Sequence, residues 1–520
     1  MIASRRVLFI VTAGLLFFSS FIPLSHFVEI IKTDAGLISG TQSADGGIKI
    51  FKGIPFAAPP VGDLRWKAPQ PVTPWTQVKE CNAFGASPVQ GKPVPFSMWS
   101  KEFLIPDEPI NEDCLYLNVW TGAKTNKEKL PVLVWIYGGG FASGGSGVPI
   151  YDGEATARKG IVFVSINYRV GIFGFFAHPE LTKESGKNAS GNYGLMDQVA
   201  ALQWVKRNIA AFGGDPENVT IAGQSAGSMS VNFLVGSPIA KGLFNKAIAE
   251  SGAGLVSNAF GGGTTLQQAE QDGERTAKSF AVSSLAELRK ISADELLKKG
   301  QGLRSPVVDG YVLPASLPEI FAQNKENEVA LLTGWNEDEG LLFGPVKNAV
   351  DFRKQAAQQY AADSSTFLKY YPADDDKQAN TSQLNLSRDM IFGVQNYTWA
   401  NISTTKGKKT FVYRFTRKVP GTGEYAKYGA FHTGEVPYAY DNLKFVNRPW
   451  EAVDHQLASV MSSYFVNFIK SGNPNGNSLP RWPLYTANDK QIMMLGDKQE
   501  AKLIPDRDAL DFMYKKMSGQ

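Results

Sequence analysis

The chain has 520 residues, 43% hydrophobic and 20% charged, a balance that provides a packed core and excludes long disordered stretches. Its 53 Lys and Arg nearly cancel its 49 Asp and Glu, leaving a formal charge of +4. Basic runs are as short as Lys406-Gly407-Lys408-Lys409, so no nucleic-acid partner is expected.

In chain order, the first feature is Arg5-Arg6 followed by an apolar run from Val7 to Leu24. It reads as an export segment over residues 1–27. The run exceeds the roughly 7–15 residues of a usual signal core and no A-x-A cleavage site follows, so two forms stay open: a cleaved signal peptide or an uncleaved membrane anchor. Either form predicts export, to the periplasm or outside the cell, or anchorage to the membrane through this segment alone. In that setting the two cysteines, Cys81 and Cys114, read as one disulfide. The four histidines (His26, His178, His432, His455) are too scattered for a metal cluster.

From residue 28 to residue 520 no repeat or linker divides the chain, which predicts one catalytic domain. Apolar, β-branched runs at 131–137, 161–167, 219–224, 246–250, 328–334, 410–415 and 491–495 predict strands buried on both faces. Between strands, residues 197–212 place Val199, Leu202, Val205 and Ile209 on one stripe, and Gly213-Gly214-Asp215-Pro216 stops the helix. A second helix is predicted over 451–469, ended by Ser471-Gly472-Asn473-Pro474. Alternating strands and helices predict an α/β fold with a large, mostly parallel central sheet flanked by helices.

Two motifs fall at strand ends. Tyr137-Gly138-Gly139-Gly140-Phe141 follows the strand at 131–137; glycines there let backbone N–H groups converge on one point, as an oxyanion requires. Gly223-Gln224-Ser225-Ala226-Gly227 follows the strand at 219–224, where a G-x-S-x-G turn exposes a nucleophilic serine and small residues allow strand and helix to approach. Serine needs a histidine base. His26 and His178 precede Ser225, and His455 lies in a helical pattern, which leaves His432 in the loop from Tyr428 to Glu435. Many carboxylates lie between Ser225 and His432, and Glu337, Asp338 and Glu339 form one cluster among them. Chemistry alone leaves that choice open.

A longer series of segments resembles the type-B carboxylesterase and cholinesterase family, in its bacterial carboxylesterase branch. They are Phe51-Lys52-Gly53-Ile54-Pro55-Phe56-Ala57, Glu112-Asp113-Cys114-Leu115-Tyr116-Leu117-Asn118, the triple-glycine loop, Asn167-Tyr168-Arg169, Gly191-Asn192-Tyr193-Gly194-Leu195, Phe212-Gly213-Gly214-Asp215-Pro216 and the serine motif. The resemblance implies an α/β-hydrolase fold and a Ser225, Glu339, His432 triad. It implies an oxyanion hole from the N–H groups of Gly139, Gly140 and Ala226, and a supporting Ser251 hydrogen-bonded to the acid. It also implies that Cys81 and Cys114 close a loop over the active-site gorge.

Cholinesterases carry a glutamate before the nucleophile, where this chain has the neutral Gln224. The resemblance places Leu342, followed by Phe343, at another gorge position and Trp99 in the gorge loop. The expectation is hydrolysis of small to medium uncharged esters through an acyl-enzyme, with no metal or organic cofactor and only a small-molecule ester as partner. Lipase or cholinesterase-like activity, or a non-catalytic recognition protein, are the alternative readings.

Overall fold

The computed structural model describes residues 29–256, 263–282, 284–300, 305–341 and 346–518. Residues 1–27, expected to form an export segment, and Leu342 and Phe343 lie outside the described residues.

Eleven strands form the central sheet: β1 (Thr41–Gln42), β2 (Lys49–Pro55), β3 (Tyr116–Thr121), β4 (Leu130–Ile136), β5 (Val162–Ile166), β6 (Gly214–Gln224), β7 (Lys246–Glu250), β8 (Ala330–Asn336), β9 (Thr410–Phe415), β10 (Gln491–Leu495) and β11 (Gln499–Leu503). Their spatial order is β11-β10-β9-β8-β7-β6-β4-β5-β3-β2-β1. From β10 to β5 neighbours run parallel. The β10–β11, β3–β5, β2–β3 and β1–β2 pairs are antiparallel. All residues of β5, β7 and β9 are buried. Successive side chains in a strand point to opposite faces, so both faces of the sheet are covered.

The predicted strands are all present, and β6 starts five residues early. Gly214 pairs with Leu130 before a register shift, and the regular ladder resumes at Val219. The helix predicted over 197–212 runs as α1 (Tyr193–Asn208) and ends in a tighter turn, Ile209–Phe212. Gly213, at φ 79°, closes that turn, a left-handed position that glycine takes without strain. Helix α2 (Ala226–Gly236) packs on β6 and β7, α3 (Val394–Thr405) on β8 and β9, and α4 (Ala452–Ser471) on β4 and β6. Among the described residues no helix is long and apolar enough to cross a membrane.

The disulfide expected from the sequence is not formed. Cys81 and Cys114 are both free and buried. The Cys81 carbonyl accepts from the Lys52 N–H on the β1 side of β2, whereas Leu115, beside Cys114, accepts from the Phe56 N–H on the β3 side. Four residues of strand, roughly 13 Å at ~3.3 Å per residue, separate the two attachments, well beyond the reach of a disulfide. What faces Cys114 across a small internal cavity is Pro88-Val89. Burial pushes the Cys81 thiol up to about 11 and the Cys114 thiol well above the ordinary thiol range, so neither is a reactive thiolate.

Candidate active site

Strand β4 is where the sheet order reverses: β5 lies on one side of it and β6 on the other. Open α/β sheets bind ligands in the crevice at the carboxyl ends of strands at such a point. The triple-glycine loop leaves β4 there, and Ser225 leaves β6.

Ser225 joins β6 to α2 with φ 59° and ψ −125°, a strained conformation for a residue with a side chain. Its surroundings hold it. The Ser225 N–H donates to the Glu250 carbonyl and its own carbonyl accepts from Met229 N, both at 2.9 Å. A Cβ on Gly223 would lie 2.5 Å from the Gly227 carbonyl group, and one on Gly227 would lie 2.1 Å from the Ile136 oxygen. Both glycines therefore permit the close crossing of β4, β6 and α2.

The glycine loop is fixed from both ends. Tyr137 and Tyr168 stack at 4.3 Å, and each hydroxyl donates to the other residue's carbonyl. Gln90 clamps Gly144, its amide donating to the Gly144 carbonyl and its oxygen accepting from the Gly144 N–H. Gly139 and Gly140 adopt φ values of 112° and 63°. Among the described residues the N–H groups of Gly139, Gly140 and Ala226 have no acceptor. Ala226 opens α2, so its N–H also carries the positive end of the helix dipole.

His432 is 3% exposed. Its Nδ1 lies 2.8 Å from Glu339 Oε2, and the other Glu339 oxygen accepts from the Asn336 N–H at 2.8 Å. A carboxylate at Nδ1 fixes the proton there and leaves Nε2 as the basic nitrogen. Phe392 stacks on one ring face, centroids 4.3 Å apart and planes 18° apart. The Gln224 amide nitrogen lies 3.3 Å from Nδ1 and 3.2 Å from Nε2. A nitrogen nearly equidistant from both cannot lie in the ring plane without striking the carbon between them, so Gln224 covers the opposite face. Trp99 meets the ring edge-on at 6.3 Å and donates its N–H to Thr433 Oγ1.

Of the three clustered acids, only Glu339 reaches the imidazole. Glu337 pairs with Arg414, and Asp338 accepts from the Ala430 N–H. His178 caps a short helix, its Nδ1 accepting from the Glu180 N–H, and His455 is exposed on α4. Ser251 departs from its expected role. The turn after β7 holds it at φ 55°, its N–H donates to the Gly334 carbonyl, and its buried hydroxyl makes no hydrogen bond. The Asn336 backbone takes the place expected for Ser251.

Sequence reasoning missed Phe392 and two more buried carboxyls. Tyr440 donates to Glu250, and Asn336 donates to Glu435. Burial lifts Glu250 to about 8 and, with Glu250 and Glu339 nearby, lifts Glu435 well above the carboxylate range. Both shifts favour the neutral carboxyl, whereas Glu339 is the carboxyl in contact with His432.

Ser225, Gln224, His432, Trp99 and the glycine loop all line one cleft of about 1190 Å³. Ser225 Oγ and His432 share no hydrogen bond; such catalytic bonds tighten in the substrate complex.

The profile of the carboxylesterase family matches residues 28–513. The chain belongs to the carboxylesterase family. Among curated members, the fumonisin B1 esterase of Sphingopyxis macrogoltabida is 35% identical, over 90% of this chain and 86% of that one. The para-nitrobenzyl esterase of Bacillus subtilis (strain 168) is also 35% identical, over 90% and 94%. A solved PNB esterase structure superposes with a TM-score of 0.79 at 30% identity, covering 93% of this chain and 99% of that one. The fold is thus the α/β-hydrolase fold, and this carboxylesterase is a carboxylic ester hydrolase.

Proposed function

We propose that this carboxylesterase works through an acyl-enzyme formed on Ser225. His432 Nε2 takes the hydroxyl proton as Ser225 Oγ attacks the ester carbonyl, and Glu339 stabilises the imidazolium that results. The carbonyl oxygen, now negative, sits against the N–H groups of Gly139, Gly140 and Ala226; one such donor is worth about 3–4 kcal/mol. The alcohol leaves with the proton from His432. Water then attacks the acyl group by the same route, and the acid departs. The observation that carries this reading is the 2.8 Å contact of Glu339 with His432, both buried, at the cleft into which the strained Ser225 turn opens.

The neutral Gln224 beside Ser225, with Phe392 and Trp99 in the same cleft, supports acyl and alcohol groups that are uncharged at that point. The Arg5-Arg6 and apolar leader support export to the periplasm or beyond. Ser225→Ala is expected to reduce hydrolysis of a simple aryl ester to background with an unchanged circular dichroism spectrum; retained turnover contradicts the assignment.

A further inference from the structure

Among the described residues, five charged side chains line the cleft: Lys92, Lys418, Lys427, Glu337 and Asp338. The two acids are already engaged. Glu337 receives Arg414 Nε at 2.9 Å and lies 3.5 Å from Arg388 Nη1, both arginines being buried. Asp338 Oδ2 accepts the Ala430 N–H at 2.8 Å.

The lysines are exposed, and among the described residues none forms an ion pair or hydrogen bond. Lys427 lies over the ring of its neighbour Tyr428 at 5.1 Å. The three cations come from two separate segments of the chain. Lys92 belongs to the segment that Gln90 ties to the glycine loop. Lys418 and Lys427 bracket the segment that Val419 ties, through its N–H, to the Gly429 carbonyl, three residues before His432. The same cleft is lined by exposed apolar side chains, Val94 at 67% and Phe96 at 59%.

We propose that the ester taken by this cleft carries a carboxylate on the part that extends to the cleft entrance, several bonds from the scissile carbonyl. The proposal rests on Ser225 hydrolysing esters in this cleft. Unpaired cations around a low-dielectric cleft raise the local concentration of anions and their association rate. Because these lysines are solvated, each contributes little, and together they give a preference of about tenfold. Among the described residues Ser225 is flanked in the cleft by Gln224, Ala226 and the glycine loop, none of them charged, so the charge recognised is remote from the reacting atoms.

The test is a charge series of equal acyl length: mono-p-nitrophenyl suberate (anionic), p-nitrophenyl octanoate (neutral) and the ω-trimethylammonio octanoate ester (cationic). At low ionic strength kcat/KM is expected to fall in that order, the suberate exceeding the octanoate by about tenfold. The advantage shrinks in about 1 M salt, where the Debye length is about 3 Å. Joint Lys92→Gln, Lys418→Gln and Lys427→Gln substitution lowers the suberate-to-octanoate ratio. A suberate-to-octanoate ratio of one or less at low salt, or one that neither salt nor the substitutions change, overturns the proposal. Octanoate hydrolysis that survives Ser225→Ala overturns instead the Ser225 reading on which it rests.

Discussion

His432 is held on four sides: Glu339 at Nδ1, Phe392 and Gln224 on its faces, and Trp99 at its edge. A ring fixed in this way needs no reorientation when it takes the serine proton, and an aromatic face favours the cation that then forms. Phe392→Leu keeps an apolar side chain but removes the π face. At about 0.5–2 kcal/mol for such a contact, kcat is expected to fall roughly 2- to 30-fold with KM little changed. A change confined to thermal stability contradicts that role. His432 was legible in the sequence because it was the only histidine after Ser225 outside a helical pattern. Phe392 was not, since a stacking partner delivered from a π-helical turn, Asp389–Gly393, leaves no local signature. Nor was the choice among Glu337, Asp338 and Glu339 legible from chemistry alone. It depends on which carboxylates Arg414 and a loop N–H claim first, and both partners lie more than seventy residues further along.

At the scale of elements, the serine turn works because β4, β6 and α2 meet where only glycine fits. Adding one methyl at Gly227 sets a carbon 2.1 Å from a backbone oxygen of β4, and a main-chain atom cannot swing aside as a side-chain tip does. Gly227→Ala is expected to cost about 1–3 kcal/mol or more by overpacking, read as a lower unfolding midpoint in denaturant, together with loss of esterase activity as Ser225 is displaced. Wild-type stability and turnover in that variant contradict the steric account. The central strands were legible because burial on both faces makes them continuously apolar. The outer strands were not: β1 has two residues, and β11 is exposed along most of its length, so neither carries a continuous apolar run. The cysteine pair misled for a related reason. Composition and compartment say that two thiols are available, but only the β2 register says that they attach to opposite edges of one strand.

Over the whole molecule, the reversal of strand order at β4 brings the glycine loop and Ser225 together, and β8 and the segment after β9 carry Glu339 and His432 to the same cleft. Segments more than two hundred residues apart thus form one site, and the series of matching segments made this arrangement readable in the sequence before any distance was known. What it left unread was the balance of charge around the entrance, which depends on which lysines find partners. The central claim is that Ser225 is the nucleophile of this carboxylesterase. Labelling the intact protein with a fluorophosphonate and mapping the adduct by peptide mass spectrometry tests it most directly. A single adduct on Ser225, formed as hydrolysis is lost, is predicted; an adduct on another residue, or full inactivation with Ser225 unmodified, contradicts it.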